Sequence, residues 1–406
     1  MVPRTLRPTI LNVSNNFPVL MVTGPRQVGK TTLLEMCSAD DRAYVTLDDL
    51  EMRRLAQQDP ALFLQTWPAP VTIDEVQYAP QLFSAIKMAV DRDGRNGLYW
   101  LTGSQKFELM SGLTESLAGR VAIVDLLGLS QAEQQGRALQ SQPFVPTLDW
   151  IQQSRNVAKP LSLQALYAQI WLGAYPRLVE QGPQSRDVFY RSYVQTYIQR
   201  DVQDLLKVSD PMSFHRFLSV VAARTGQLLN YANMANELDI DNKTVKAWLS
   251  VLQASGLVYL LQPYHRNLTK RMIKSPKLYF LDTGLAAYLT KWSSPEALEA
   301  GSMSGPMLET WAVCEILKSY WHNGKEAHLY FYRDTEQREI DLLIEDGDVI
   351  YPIEIKKTAT PSTQAGRQLA AAQNLDKKVG PGAVLCLAKR DVPLSDSLMA
   401  IPVAYL

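Results

Sequence analysis

The residues best suited to chemistry form a glycine-rich segment close to the amino terminus. The run reads Gly24-Pro25-Arg26-Gln27-Val28-Gly29-Lys30-Thr31 and fits the pattern Gly-x-x-x-x-Gly-Lys-Thr at every fixed position. Its glycines allow backbone N–H groups to surround phosphate oxygens, and a helix that opens at Thr32 would point its amino terminus at the same charge. Lys30 can reach the β- and γ-phosphates, while the Thr31 hydroxyl can bind Mg²⁺. Residues 24–32 are therefore predicted to bind ATP with Mg²⁺.

The elements predicted around this segment agree with that interpretation. An apolar run at 19–22 predicts a buried strand, and residues 32–37 predict the first turns of a helix. The alternative is a chance glycine turn, but strand, loop and helix follow in the order that phosphate binding requires. Further strands are predicted at 43–47, 70–75, 98–102 and 121–126, with helical stretches between them. This alternation predicts a parallel sheet with crossover helices.

Polar residues follow two of these predicted strands. Asp74 and Glu75 end one strand, where open α/β sheets place their ligands. Asp74 would belong to the Mg²⁺ shell and Glu75 would polarise the attacking water, unless the pair is an ordinary solvated strand end. Thr102 and Ser104 end the next strand. Ser104 could sense the γ-phosphate or the water, or it could simply cap the following helix.

Arg120 precedes the last predicted strand and follows Gly119. An arginine at this point could reach the nucleotide of a neighbouring subunit and stabilise charge in the transition state. The alternative is a surface arginine in a turn.

Four motifs together resemble the AAA-type (AAA+) ATPases of bacteria and archaea that carry a C-terminal domain of unknown function. They are Gly24–Thr32, Ile73–Glu75, Leu101–Ser104 and Ser116–Arg120. The resemblance implies ATP hydrolysis, a helical lid after the sheet, and contact between subunits of a homo-oligomer.

A further element, Gly173-Ala-Tyr-Pro176, is similar to the Gly-Gly-x-Pro element that contacts adenine in related signal-transduction ATPases, although it is shorter. The resemblance implies that Pro176 contacts adenine. The alternative is a turn that ends a helix, with Gly173 at positive φ and Pro176 preventing continuation.

The middle of the chain predicts a helix-turn-helix. Residues 128–160 are polar and glutamine-rich, which predicts a loosely packed connection, and 189–206 have helical apolar spacing. Residues 229–260 predict two helices and a strand, the order of a winged helix-turn-helix. DNA or RNA could bind Lys243 and Lys246 on the second helix and a basic segment that follows. That segment contains Arg266, Lys270, Arg271, Lys274 and Lys277. The alternative is a mechanical element that packs within the protein.

Four separated residues predict a second site near the carboxyl terminus. Glu309 lies on a predicted helix, Asp341 on a strand, and Glu354 and Lys356 on the next strand, two apart and on one face. Three carboxylates can hold Mg²⁺ and the lysine can orient water. The pattern resembles the PD-(D/E)xK nuclease superfamily, with Ile340 where a proline is usual. The alternatives are a nuclease-like fold that binds without cutting, or a salt-bridged strand pair.

Bulk properties exclude several classes of protein. The 406 residues contain 41 basic and 41 acidic side chains, so no global field attracts nucleic acid or membranes. Cys37, Cys314 and Cys386 have no metal-ligand spacing, which favours a reducing cytoplasm. No apolar run approaches the length of about 20 residues that a membrane span requires.

The sequence predicts an α/β protein: an AAA+ P-loop sheet with a helical lid, a winged helix-turn-helix and a PD-(D/E)xK-like domain. The predicted boundaries are 1–140, 141–206, 207–275 and 276–406. The expected function is Mg²⁺-dependent ATP hydrolysis coupled to a nucleic-acid-associated C-terminal region. The alternatives are an ATP-regulated nuclease and a slow ATPase switch that binds a protein partner.

Overall fold

The chain folds into two compact units, each described by itself. The structure is a computed structural model that describes residues 2–104, 116–198, 211–264, 275–334 and 336–406. The first unit comprises Met1–Leu129 with Ala254–Leu257 and Trp321–Gly324. The second comprises Ser130–Gln253, Val258–Tyr320 and Lys325–Leu406.

A five-stranded parallel sheet organises the first unit, as predicted. Its strands are β1 (Val19–Thr23), β2 (Ala43–Thr46), β3 (Val71–Asp74), β4 (Tyr99–Gly103) and β5 (Val121–Asp125). The described helices are α1 (Arg7–Asn16), α2 (Lys30–Cys37), α3 (Leu50–Gln58), α4 (Pro60–Thr66) and α5 (Leu82–Asp93). The strand order is β2-β3-β4-β1-β5, with every pairing parallel. The carboxyl ends of all five strands therefore share one edge.

The sheet is stable because both of its faces are covered. Every residue of β1 is buried, and so is every residue of β4. Val19 and Met21 belong to a cluster with Phe63 of α4 and Phe83 of α5. Parallel strands that are buried on both faces have continuous apolar sequences, which explains why the sequence revealed them so clearly.

The second unit combines many short helices with a large sheet. Its helices are α6 (Gln131–Gln134), α7 (Leu148–Val157), α8 (Leu163–Leu172), α9 (Pro176–Gln181), α10 (Arg186–Tyr193), α11 (Pro211–Ala223), α12 (Tyr231–Leu238), α13 (Asn242–Ala254), α14 (Thr283–Leu289), α15 (Pro295–Ala300) and α16 (Ser304–Trp321). Its strands are β6 (Gln227–Leu228), β7 (Val258–Pro263), β8 (Lys277–Phe280), β9 (Leu329–Arg333), β10 (Glu339–Asp346), β11 (Val349–Ile355), β12 (Lys378–Val379), β13 (Gly382–Cys386), β14 (Val392–Ser395) and β15 (Leu398–Pro402). The order is β14-β15-β13-β11-β10-β9-β7-β8-β6, and β12 pairs with β11.

The prediction of a loosely packed connection at 128–160 was wrong. Ser130 and Glu133 form a capping box at the start of α6, and Thr147 caps α7. Phe144 is fully buried and packs edge-on against Trp150, with 4.7 Å between the ring centroids. Isolated aromatic anchors and helix caps order a segment whose polar composition suggests a loop.

The predicted helix-turn-helix is followed by paired strands. Asp241 caps α13 by accepting from the backbone N–H groups of Lys243 at 2.7 Å and Thr244 at 2.8 Å. After α13, Gly256 adopts a φ of 68°, the left-handed conformation that commonly ends a helix.

Strand β8 pairs antiparallel with both β6 and β7, although it follows the predicted boundary after residue 275. Strand β7 also pairs parallel with β9, so one sheet continues across that boundary. The four-domain division and the lid stay predictions.

Among the described helices, none has the length and apolar character that crossing a membrane requires.

Candidate active site

The glycine segment forms a tight loop between β1 and α2, called here the phosphate loop (residues 24–31). Gly24 has a φ of 148°, and a Cβ atom there would lie 2.0 Å from the carbonyl oxygen of Leu126. Gly29 has a φ of 90° and immediately precedes α2. Both positions therefore require glycine, and the loop leads its backbone directly into the helix amino terminus.

Lys30 holds its ammonium over this loop. The side chain is buried, and Nζ donates to the carbonyl oxygens of Gly24 at 3.0 Å and Pro25 at 2.9 Å. Arg26 Nη2 donates to the Tyr78 hydroxyl at 3.4 Å. Val28 is buried, Gln27 is exposed, and Thr32 is half-buried at the start of the helix. The loop thus concentrates positive charge at a helix amino terminus, an arrangement suited to phosphate.

Three hydroxyl groups converge on Asp74 at the end of β3. Its Oδ1 accepts from Thr31 Oγ1 at 2.9 Å and from Thr102 Oγ1, and its Oδ2 accepts from the Tyr44 hydroxyl at 3.0 Å. Burial raises the pKa of Tyr44 above its ordinary value, and the Asp74 carboxylate adds to the rise. The phenol therefore keeps its proton and donates a hydrogen bond. Tyr44 was not predicted, because a tyrosine on an edge strand carries no distinctive signal in the sequence.

Glu75 is held by two side chains, one on the turn that follows β3 and one directly after β4. Its backbone has a φ of 56°, and Oε2 accepts from Ser104 Oγ at 3.3 Å and from the Gln77 amide. The same amide donates to Ser104 Oγ at 3.3 Å. Gln77 is buried and was also missed, although its position two residues after Glu75 was a usable signal.

The donor set at this edge fits Mg²⁺. A threonine hydroxyl and a carboxylate oxygen, 2.9 Å apart on Thr31 and Asp74, are oxygen ligands of the kind that Mg²⁺ prefers. Both lie beside the amino terminus of α2, where phosphate oxygens would complete the coordination. The structure therefore brings together Thr31, Asp74, Glu75 and Ser104.

Arg4 braces the phosphate loop from the amino-terminal segment. Its buried guanidinium donates to the carbonyl oxygens of Val28 at 2.8 Å and Leu127 at 2.7 Å. The Arg4 guanidinium thus bridges one carbonyl of the phosphate loop and one carbonyl of the segment after β5, which links the two segments. The sequence analysis did not assign Arg4 a role.

Arg120 lies at the opposite edge of the sheet. It immediately precedes β5, which runs parallel to β1, so it is at the amino ends of the strands. Its guanidinium makes a two-point ion pair with Asp91 of α5, with Nε–Oδ1 at 2.5 Å and Nη2–Oδ2 at 2.9 Å. The structure does not bring Arg120 to the phosphate loop of the same chain.

Pro176 is the first residue of α9, in the second unit. Gly173 ends α8 at a φ of 85°, and a Cβ atom there would lie 2.2 Å from the Tyr190 hydroxyl oxygen. The carboxylate of Asp282 accepts from Ala174 N at 2.7 Å and from Tyr190 at 2.8 Å. The segment thus forms the helix-ending turn of the alternative interpretation, and contact of Pro176 with adenine stays a prediction.

The predicted acidic residues near the carboxyl terminus do lie close together, with a lysine among them. Lys277 Nζ is 3.2 Å from Glu309 Oε1 and 4.0 Å from Asp341 Oδ1. Lys356 makes an ion pair with Glu354. Across the part of the chain that the structure describes, no group of three or more His, Cys, Asp or Glu residues has a metal-binding arrangement.

The predicted nucleic-acid residues have different surroundings. Lys243 and Lys246 are exposed on α13, as predicted. Lys277 is only 3% exposed, so its predicted contact with phosphate was wrong, because its ammonium is committed to carboxylates. Four others lie outside the described residues: Arg266, Lys270, Arg271 and Lys274.

Three family models match separate parts of the chain. An AAA domain matches residues 16–135, and two domains of unknown function, DUF8612 and DUF4143, match residues 163–296 and 304–406. Together with the strand order and the phosphate loop, the first match supports an AAA-type P-loop domain in the amino-terminal third. It also confirms the α/β class predicted for that part.

Whole-chain relatives are known by sequence. Uncharacterized proteins of Mycobacterium tuberculosis and Mycobacterium bovis are each 29% identical over 95% of this chain and 80% of their own length. Among solved structures, a Walker-type ATPase of Pyrococcus abyssi is 16% identical, with a TM-score of 0.45 over 70% of this chain and 94% of its own. RuvB of Thermotoga maritima is 15% identical, with a TM-score of 0.32 over 64% and 90%. At these values the structural likenesses carry no inference about function.

Proposed function

We propose that the first unit binds ATP with Mg²⁺ and hydrolyses it to ADP and phosphate. The observation that carries the proposal is the convergence of Thr31, Asp74 and Glu75 at the carboxyl edge of a parallel sheet, beside a glycine loop. Ligands of open α/β sheets bind at this edge. The match of residues 16–135 to the AAA domain supports the same activity.

Each side chain has a distinct part in the proposed reaction. The phosphate loop binds the phosphates through backbone N–H groups and the Lys30 ammonium. Thr31 and Asp74 would hold Mg²⁺, which when bound supplies positive charge to phosphate oxygens. Glu75 orients the attacking water and accepts its proton, while Ser104 and Gln77 fix the direction of the Glu75 carboxylate.

Replacing Glu75 by Gln tests the division between binding and chemistry. The variant keeps the size and hydrogen-bonding capacity of the side chain but removes the base. ATP binding should stay within about threefold of wild type, whereas turnover should fall by about 10²–10⁴-fold. Equal turnover in both proteins would remove Glu75 from the mechanism.

We further infer that the second unit binds nucleic acid through a winged helix formed by α11–α13 and β6–β8. The supporting observation is that α13 presents Lys243 and Lys246 to solvent. Both lie on a capped helix whose opposite face, including Trp248 and Leu252, is buried. A rigid helix with exposed cations and a buried apolar face is suited to phosphate contact.

Salt dependence of DNA binding distinguishes this role from mechanical packing. The double variant Lys243→Gln/Lys246→Gln should weaken DNA binding and reduce the slope of log affinity against log salt by about 2. Lys389→Gln/Arg390→Gln, which removes two exposed cations elsewhere, is the matched control. Binding that neither double variant changes would contradict the assignment, as would affinity that is insensitive to salt.

A further inference from the structure

The acidic cluster of the second unit is organised around a buried lysine. Lys277 opens β8 and is only 3% exposed. Its Nζ lies 3.2 Å from Glu309 Oε1 on α16, and 2.5 Å from Glu339 Oε1 and 4.0 Å from Asp341 Oδ1 on β10. Three carboxylates from two elements thus face one ammonium group.

The ammonium is held in its charged form. Burial alone would lower the pKa of Lys277, but Glu309, Asp341 and Glu339 outweigh that effect and raise it above the ordinary value. Glu309 also accepts from the Tyr279 hydroxyl at 2.7 Å, and Asp341 from the backbone N–H of Ile355 at 2.8 Å. The carboxylates are therefore fixed in orientation by neighbours as well as by the lysine.

A divalent cation and this ammonium require the same carboxylates. Mg²⁺ binds its oxygen ligands at about 2.0–2.1 Å, so carboxylate oxygens that coordinate the ion must converge on the position it occupies. A buried ammonium amid these oxygens excludes the ion by volume and by repulsion of like charge. The residues present do not fit the metal site that the nuclease resemblance implied.

We propose that Lys277 is a built-in cation that takes the place of a divalent metal in the carboxylate cluster of Glu309, Glu339 and Asp341. The second unit then holds α16, β8 and β10 together by an internal ion cluster and does not cleave phosphodiester bonds. Removing the ammonium uncovers a site of three convergent carboxylates, which is suited to Mn²⁺ or Mg²⁺.

Binding of Mn²⁺ to the 406-residue chain without nucleotide tests this proposal. The background carries Asp74→Asn, which removes the metal ligand of the first unit. In this parent we expect no Mn²⁺ bound to the carboxylate cluster, and no cleavage of DNA or RNA in its presence. Lys277→Gln should bind one Mn²⁺ at least about tenfold more tightly, equivalent to about 1.4 kcal/mol. Adding Asp341→Asn should remove that gain.

Two results would overturn the proposal. One is parent protein that binds Mn²⁺ and loses it on Asp341→Asn, because the cluster would then accept a metal beside Lys277. The other is folded Lys277→Gln protein with no gain in Mn²⁺ affinity. Should Lys277→Gln fail to fold, Lys277→Gln/Glu339→Gln keeps the net charge of the cluster and takes its place. Two carboxylates then remain, so a smaller gain in Mn²⁺ affinity is expected, and no gain would contradict the proposal.

Discussion

At the scale of single residues, Gln77 donates a hydrogen bond directly to the proposed catalytic carboxylate, that of Glu75. Its amide donates to Glu75 Oε2 and to Ser104 Oγ, while Glu75 itself adopts a positive φ. A carboxylate in a strained turn needs such neighbours to keep one direction. We therefore assign Gln77 a positioning role.

Gln77→Ala should lower kcat for ATP by about 10–100-fold and leave KM nearly unchanged, because the lost contact orients the base and does not bind substrate. Gln57→Ala is the matched control, since the Gln57 amide donates to the backbone carbonyl of Tyr78, on the same turn as Gln77. Steady-state kinetics of both variants measure the effect. A kcat within twofold of wild type in Gln77→Ala would contradict the positioning role.

The buried carboxyl of Glu354 makes stability depend on pH. Burial raises the pKa of Glu354 from 4.5 to about 7, and the nearby carboxylates of Asp341 and Glu309 add to the rise. Lys356 opposes this increase because its ammonium favours the ionised carboxylate. The folded chain thus retains a proton that the unfolded chain releases above pH 4.5. The stability that the folded chain gains from holding this proton declines as the pH rises from 4.5 to 7, and the loss is complete above pH 7.

Glu354→Gln should therefore gain stability relative to wild type as the pH rises from 5 to 8, by about 2 kcal/mol. Denaturant unfolding at several pH values measures the difference. Glu296→Gln, at an exposed carboxylate on α15, is the control and should run parallel to wild type. Parallel curves for Glu354→Gln and wild type would show that Glu354 is ionised throughout.

At the scale of elements, Arg4 and Arg42 offer a matched comparison. Arg4 bonds the carbonyls of Val28 and Leu127 at the phosphate loop. Arg42 bonds the carbonyl of Gly97 at 2.6 Å and stacks on Trp100, at the amino ends of the strands. Each arginine connects backbone segments, but they do so at opposite edges of the sheet.

Arg4→Ala should weaken ATP binding about tenfold, because the unpaired Val28 carbonyl lets the phosphate loop change shape. Arg42→Ala should lower the melting temperature similarly but leave the ATP Kd unchanged. Calorimetric titration well below the melting temperature separates the two effects. Equal ATP affinities in both variants would mean that Arg4 contributes to stability alone.

Sequence reasoning recovered the elements whose signals are local. Continuous apolar strands and the phosphate loop depend on neighbours in the chain, and each was found close to its true position. Tyr44 and Arg4 act through contacts across 24 or more positions, and the contact of Gln77 with Ser104 spans 27, so no local pattern contains these pairs. Lys277 was misjudged for the same reason, since the carboxylates that surround it come from α16 and β10.

At the scale of the whole molecule, Arg120 is the residue for which a role in a neighbouring subunit was predicted. It lies at the sheet edge opposite the phosphate loop of its own chain and pairs with Asp91. A role in catalysis therefore requires the nucleotide of a neighbouring copy.

Arg120→Ala should abolish ATP turnover but retain ATP binding, whereas Asp91→Ala, which breaks the ion pair and keeps the arginine, should remain active. Mixing Arg120→Ala with Glu75→Gln should restore part of the activity, because each copy supplies what the other lacks. Unaltered turnover in Arg120→Ala would remove the arginine from catalysis.

The most direct test of the account measures Mg²⁺-dependent ATP binding and phosphate release by the wild-type chain and by Lys30→Ala. We predict that the wild type retains ATP with Mg²⁺ and releases phosphate, and that Lys30→Ala loses both. Wild-type protein that does not bind ATP, or Lys30→Ala protein that binds and hydrolyses it normally, would contradict the proposed function of the first unit.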